Sequence, residues 1–362
     1  MRTLVVSDLH LGLRSGGDLL RQARVRARLA QVLVGVKRLV LLGDTLELRQ
    51  RPLREVLAAA RPVLATLGEA LGPEGEVLLT CGNHDHALLD GWLARRAADG
   101  PPAPMGLQTE VDWLAHEPLG AIAAALAPAR LRVAYPGVWL AADVYAMHGH
   151  YLDADTTVPT FERVGAGAMA RLLRRPLGRA ARAEDYEALL APLYAWLHAT
   201  AQRGDGWAWL DSGTTTLRAW ETLRRDGERR DARSRALRLA FALAVLALNR
   251  AGLGPLRARL DGAVLRDASL EAFSTVLGRL AVPASTVIFG HTHRAGPLEG
   301  DRTELWQTAA GGRILNTGSW VHEPYFLGTD PRRSPYRPGF AVALVDGRDP
   351  ELVNLLDRPT PG

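Results

Sequence analysis

Val77-Leu78-Leu79-Thr80-Cys81-Gly82-Asn83-His84-Asp85 is the stretch that decides how this chain is read. A short apolar run of the kind that forms a buried strand is followed by a glycine, and the glycine opens a cluster of amide, imidazole and carboxylate groups. The same order recurs on both sides of it. Leu4-Val5-Val6 runs into Asp8-Leu9-His10, and Leu39-Val40-Leu41-Leu42 runs into Gly43-Asp44. Further on, Val138 to Met147 ends in His148-Gly149-His150, and Thr286-Val287-Ile288-Phe289 ends in Gly290-His291-Thr292-His293.

Helix-like segments separate the first three strands. Leu19 to Val34 carries Leu and Val at helical spacing, and Pro52 to Leu71 does the same. The β-α-β-α-β order predicts an α/β architecture with parallel strands covered by helices. Each polar motif then falls just past the C-terminal end of a strand, where open α/β sheets place ligands. Residues 99–106 predict a loop, Leu131 to Tyr135 and Val138 to Met147 two more strands, and Arg313 to Asn316 and Phe340 to Val345 closing strands.

Between Leu152 and Pro283 the chain turns Arg-, Ala- and Leu-rich with few β-branched runs. This predicts helices at 161–174, 184–202, 215–225, 229–250 and 268–280. The expected organisation is a core of residues 1–151 and 284–362 with a helical insertion, 152–283, forming a cap over the motifs. Leu239 to Leu248 is ten consecutive apolar residues. It is expected as a helix buried in the cap, with a peripheral membrane or dimer contact as the alternative.

The 362 residues suffice for one large domain or two ordinary ones, and 47% apolar residues suffice for a sizeable core. Met1-Arg2 leads straight into the first strand without a signal pattern. No apolar run approaches the roughly 20 residues that span a bilayer. The single cysteine, Cys81, fits a reducing cytoplasm and reads as a buried packing residue. The net charge of +5 is carried almost wholly by Arg, Lys37 being the only lysine. Nucleic-acid binding calls for a clustered basic stripe with aromatic partners. A mild positive excess fits any anionic substrate, phosphorylated ones included.

The motifs supply Asp8, His10, Asp44, Asn83, His148, His291 and His293 as candidate ligands. Carboxylate oxygens with imidazole nitrogens suit Mn, Fe or Zn rather than a dedicated Ca site. Asp8 and His10, like His291 and His293, are two residues apart, and on an extended strand end such residues point the same way. Asp44 has two oxygens that can bridge two ions, and Asn83 offers a neutral carbonyl that limits the charge of the site. The set is large enough for two divalent cations around one shared carboxylate, Mn being the first expectation, and reads as a dinuclear metal hydrolase.

These motifs, with Ser7 before the first and Asn316-Thr317-Gly318-Ser319-Trp320 on a late strand, resemble the signature of the calcineurin-like metallophosphoesterases. The likeness covers residues 1 to about 150 and 284 to about 345. It implies a sandwich of two mixed β-sheets flanked by helices, with both ions at the sheet edge. It implies Asp8, His10, Asp44 and His293 around one ion, and Asp44, Asn83, His148 and His291 around the other. His84 would be the catalytic histidine beside the leaving group, oriented by Asp85. A hydroxide bridging the ions would attack phosphorus, and His84 would protonate the leaving oxygen as general acid.

Three further residues are candidate substrate contacts: His150, Arg14 and Arg294. His86 is expected to cap a helix or face solvent. The layout also resembles the UDP-diacylglucosamine pyrophosphohydrolases, which carry a helical insertion before the last His-x-His motif. This chain departs from them in having His84 where that branch carries Arg, and in its longer insertion. A phosphorylated small molecule or amphiphile is the expected substrate. Trp196, Trp207, Trp209 and Trp220 lie among arginines in the insertion and keep a nuclease or phosphodiesterase on nucleic acid as the alternative. A binding module without catalysis is disfavoured, because all seven ligands and His84 are present.

Overall fold

The structure, a computed structural model, describes residues 2–98, 100, 102–203, 232–258, 262–345 and 349–357. The chain divides into two compact units, one of Met1–His150, Leu197–Gly206 and Pro283–Gly362, the other of Tyr151–Trp196 and Trp207–Val282.

In the first unit the described elements run β1 (Arg2–Val6), α1 (Ala23–Leu33), β2 (Arg38–Leu42), α2 (Leu53–Leu71), β3 (Glu76–Thr80), α3 (Asp90–Ala98), β4 (Gln108–Glu110), α4 (Pro118–Leu126), β5 (Arg130–Ala141) and β6 (Val144–Met147). After the second unit the chain returns as β7 (Thr286–Phe289), β8 (Arg313–Asn316), β9 (Phe340–Val345) and β10 (Glu351–Asn354). β1, β2 and β3 pair in parallel, as the alternation of strands and helices predicts. The last four residues of each are buried. Strands covered on both faces are apolar throughout rather than alternating.

The described strands follow one hydrogen-bonded order, β10-β9-β1-β2-β3-β5-β6-β7-β8, with β4 paired to β5. The expected separation into two sheets is replaced by this continuous order, because β5 serves both halves. Its residues Leu131 to Val133 pair in parallel with β3, and Gly137 to Ala141 pair antiparallel with β6. Pro136-Gly137 suggests a break between two strands, yet the strand runs through it and turns only at Ala142-Asp143. One cluster of buried side chains draws on both halves, with Val5, Val40, Leu78 and Val342 from one and Val144, Ile288 and Leu315 from the other.

α2 and α4 meet at Gly68, where a Cβ would lie 1.9 Å from the carbonyl oxygen of Leu126. A backbone contact that close admits no side chain. Gly68→Ala is expected to destabilise the protein by about 1–3 kcal/mol through overpacking. A urea midpoint unchanged from the parent protein would contradict this.

The second unit contains α5 (Phe161–Leu173), α6 (Ala183–Gln202, whose last turns group with the first unit), α7 (Ala232–Arg250) and α8 (Gly262–Arg279). Tyr151 and Tyr186 stack at 4.7 Å. Tyr151 donates to Glu187, and Tyr186 donates to Asp155, which also pairs with Arg279. These contacts tie α6 and α8 to the segment following the fourth motif. The ten-residue apolar run lies on α7 but is not buried as expected. Leu239 is 63% and Leu243 56% exposed, and Val245 alone in the run is buried. Ten consecutive apolar residues circle the whole helix, so they cannot all share one buried face. The helix expected at 215–225, the start of that expected at 229, and Trp207, Trp209 and Trp220 lie outside the described residues. No helix among the described residues is long and apolar enough to cross a membrane.

Candidate metal centre

Five loops bring the motif side chains together at the C-terminal ends of β1, β2, β3, β6 and β7. The sequence-based reason for their convergence needs correction. Asp8, His10, Asp44, His291 and His293 all have positive φ, between 44° and 65°. The pairs two residues apart therefore do not ride on an extended strand. Left-handed turns after β1 and β7 aim them inward. Asp, Asn and His tolerate that region better than other side chains, and backbone strain of about 1–3 kcal/mol per residue persists where the surroundings enforce it. Hydrogen bonds between loops do so here: Asp8 N–H donates to Gly43 O (3.1 Å) and His10 N–H to Asp44 O (2.8 Å).

Two glycines make the approach possible. A Cβ on Gly82 would lie 2.3 Å from Asp44 Oδ1, and one on Gly43 would lie 2.4 Å from the His148 ring. The late Asn316 motif braces the fifth loop. Asn316 Nδ2 donates to Gly290 O (2.8 Å) and Thr292 Oγ1 (3.0 Å), and Thr317 Oγ1 lies 2.6 Å from Ser7 Oγ.

Among the described residues, three sets of potential ligand atoms each lie within 4.8 Å of one another: Asp8 with His10 and His293, His10 with Asp44 and His84, and Asp44 with His148 and His291. Asp44 belongs to two of them. Its Oδ2 is 3.2 Å from His148 Nε2 and 3.7 Å from His10 Nε2, while its Oδ1 accepts from the His84 N–H at 2.8 Å. Asn83 Oδ1 joins the third set, 3.1 Å from His291 Nδ1 and 3.3 Å from His148 Nε2.

The donor chemistry fits cations. His10 Nδ1 faces Glu47 Oε2 (3.0 Å) and His293 Nδ1 faces Glu323 Oε2 (2.7 Å). Ionised carboxylates only accept, so both Nδ1 atoms carry the hydrogen. In the neutral rings Nε2 is then a lone pair, yet the two Nε2 atoms face each other at 3.0 Å. Such a pair needs a proton or a cation between its members. Asn83 repeats the pattern. Its oxygen points at ring nitrogens and at Asp44 Oδ2, while its amide nitrogen stands 3.1 Å from Arg49 Nη1. The reversed amide would satisfy hydrogen bonds in the metal-free site, whereas a cation selects the carbonyl orientation.

Charge follows the same geometry. Burial would raise the Asp44 and Asp8 carboxyls, but the neighbouring histidines outweigh it and hold both below the ordinary value. Burial would lower His148, but Asp44 outweighs it and raises the imidazole to about 9. His10 and His293 are likewise raised against burial, by Glu47 and Asp44 and by Glu323 and Asp8 respectively. A cation requires neutral imidazoles, so loading must release these protons. Metal affinity is therefore expected to rise with pH from 6 towards 9, by about tenfold per unit for each proton displaced. A flat profile in calorimetric titrations at pH 6, 7 and 8 would show that the rings are already neutral.

Glu47 is a site residue that the sequence alone does not single out. It is buried, and its Oε2 accepts from His84 Nδ1 (2.8 Å) as well as from His10 Nδ1. Burial raises its carboxyl, but His84 and His10 hold it well below the ordinary value. The signal was present as an acid set between two leucines, Leu46-Glu47-Leu48. Asp85 was expected to orient His84 but does not touch its ring. It accepts from the N–H groups of Gly82 (2.7 Å) and Thr45 (2.7 Å), with Asp44 and Leu46 at 3.3 Å, and so pins the second loop to the third. Burial first, then Asp44, pushes its carboxyl up to about 6.

The three candidate substrate contacts fare differently. Arg14 is exposed. Arg294 is buried, pairs with Asp301 and lies 5.0 Å over the Trp306 ring, so its cation is engaged in local packing. His150 is fully buried, stacked on Tyr135 with Nε2 3.1 Å from the phenol oxygen. Burial holds it well below the ordinary histidine value. His86 neither faces solvent nor stands in the open, being buried with its ring 6.0 Å from Tyr135. Arg49, not singled out in the sequence, donates through Nε to the main-chain carbonyl of Asn83 (3.0 Å) and places a guanidinium beside the ligand set.

Comparison with known proteins gives one family. The sequence model of the calcineurin-like phosphoesterases matches residues 1–219, more than half of the chain. Among solved structures, a dimetal phosphatase from Danio rerio is similar at 12% identity over 98% of this chain and 99% of that chain. Its TM-score of 0.36 is too low to bear on site or activity. No curated protein matches. The family match ends before β7, so His291 and His293 join the centre by geometry alone. The chain belongs to the calcineurin-like phosphoesterase family.

Proposed function

We propose that this protein hydrolyses a phosphoester or pyrophosphate bond in a small or amphiphilic phosphorylated substrate. Asp8, His10, Asp44 and His293 would hold one divalent ion, and Asp44, Asn83, His148 and His291 the other, with Mn favoured and Fe or Zn as alternatives. The observation that carries the reading is the convergence of lone pairs on both sides of Asp44, with His84 beside them. Two divalent cations there would supply Lewis acidity to the phosphoryl oxygens and lower the pKa of an attacking water.

The chain's own residues do the remaining work. Glu47 accepts the Nδ1 hydrogen of His84, which fixes the ring and leaves Nε2 as the nitrogen that can hold a proton for the leaving oxygen. Burial lowers the His84 pKa, and Glu47 and Asp44 oppose that fall. Asp85 keeps the Asp44 and His84 loops in register through backbone N–H groups. Arg49 adds positive charge beside Asn83, where a phosphoryl oxygen would be bound.

A hydrolysis panel on Mn-loaded protein tests the proposal. It compares 4-nitrophenyl phosphate, bis(4-nitrophenyl) phosphate, a UDP-linked amphiphile and single-stranded DNA, with Asp44→Ala as the blank. Turnover of a small ester or of the pyrophosphate is expected. Cleavage of DNA alone would replace this reading with the nuclease one. Absence of both bound metal and turnover would leave a binding module.

A further inference from the structure

We propose that Glu323 is a positioning residue for His293, and that with Glu47 it makes the Asp8–His10–His293 pocket the first of the two to take a cation. The inference rests on the dinuclear reading above and adds an order of loading to it. In that pocket both imidazoles are backed by carboxylates. Glu323 Oε2 stands 2.7 Å from His293 Nδ1, and Glu47 Oε2 stands 3.0 Å from His10 Nδ1. Each carboxylate fixes the ring with its hydrogen on Nδ1 and turns Nε2 towards Asp8 Oδ1, at 3.4 Å from His293 and 4.0 Å from His10.

In the other pocket the support of His148 is different. His148 Nδ1 donates to a neutral peptide carbonyl, that of Leu42, at 2.9 Å. Its Asn83 ligand is uncharged. An imidazole hydrogen-bonded to a carboxylate is the more basic ligand, and the carboxylate adds negative charge one bond further out. The first pocket thus has Glu47 and Glu323 behind its ligands in addition to Asp8 and the shared Asp44.

The segment carrying Glu323 is held in place independently of any ion. Val321 bridges antiparallel to Asp18, and His322 N–H donates to Gly17 O at 2.8 Å. Trp320 N–H donates to Asp8 O at 3.1 Å. The loop after β8 is thereby fastened to the loop after β1, which supplies Asp8 and His10. The Glu323 side chain is 27% exposed and glutamine matches its size, so Glu323→Gln is expected to fold.

The test is a titration of metal-free protein with Mn(II), followed by the electron paramagnetic resonance signal of free Mn(II). Two resolved steps are expected for the parent protein. Glu323→Gln keeps an acceptor for His293 Nδ1 but removes the charge, and it should weaken the tighter step by about 10–100-fold. In a His148→Asn background the second pocket loses an imidazole ligand while the first keeps its full set, and Glu323→Gln should weaken the remaining tight step by the same factor. Circular dichroism should show both variants folded. Unchanged steps in Glu323→Gln, or weakening confined to the looser step, would overturn the assignment while leaving the dinuclear reading in place. Failure of the parent protein to bind any Mn(II) would overturn both.

Discussion

Asp44→Ala is expected to leave the protein with at most one bound cation and to reduce its turnover by about 10³-fold or more. Asp44 Oδ2 stands within 3.7 Å of a ring nitrogen in each pocket, and its Oδ1 anchors the His84 backbone. Loss of the shared carboxylate therefore weakens both pockets and leaves His10, His84 and His148 without the charge between them. Lewis-acid catalysis is worth several kcal/mol, and each ~1.4 kcal/mol is tenfold in rate. Bound metal measured by mass spectrometry and kcat on a phosphodiester would check both parts. A thermal shift adds a readout independent of catalysis. Saturating Mn(II) should stabilise the parent protein, by about 2.7 kcal/mol at a hundredfold excess over Kd. It should stabilise the variant less. In the metal-free state Asp44 is held well below 3.8, so its contribution to stability is present above that value and is lost as pH falls. The variant should lack this part of the acid sensitivity. A variant with two bound ions and normal turnover would refute the shared-ligand arrangement.

His84→Ala should keep its metal and lose about 10²–10⁴-fold on a substrate with a poor leaving group, the range for general acid catalysis. On a 4-nitrophenyl ester the loss should be small, because that leaving group needs no proton. The pH profile separates the role further. His84 is lowered below 6.5 by burial, against the pull of Glu47 and Asp44. Its acid form is populated below that lowered value, so kcat/KM on the poor leaving group should fall as pH rises through it. That limb should vanish in the variant. Equal losses on both substrates, or loss of a metal ion, would instead make His84 a ligand, which its place in a set with His10 and Asp44 makes a real alternative.

Much of the core was legible because the physical signals are local. β1, β2 and β3 follow from unbroken apolar runs, and α2 from helical spacing ended at Gly72. β5 was misread at Pro136-Gly137 because neither residue shows, within its own sequence, which neighbour the strand will have. The exposure of α7 was illegible for a similar reason. An apolar run announces that it forms a helix, but burial depends on how much of its circumference other elements cover.

In the candidate centre the sequence alone determined which side chains are of a type that binds cations and that each follows a strand. Groups that bind cations are recognisable by type, and spacing places them at strand ends. Only the tertiary structure decided how they meet. Left-handed turns rather than strand pleat aim Asp8, His10, His291 and His293 inward. Glu47, not the adjacent Asp85, reaches the His84 ring, and Glu323 arrives from 30 residues beyond His293. Hydrogen-bond partners across loops are set by the three-dimensional path of the backbone, for which sequence adjacency is no guide.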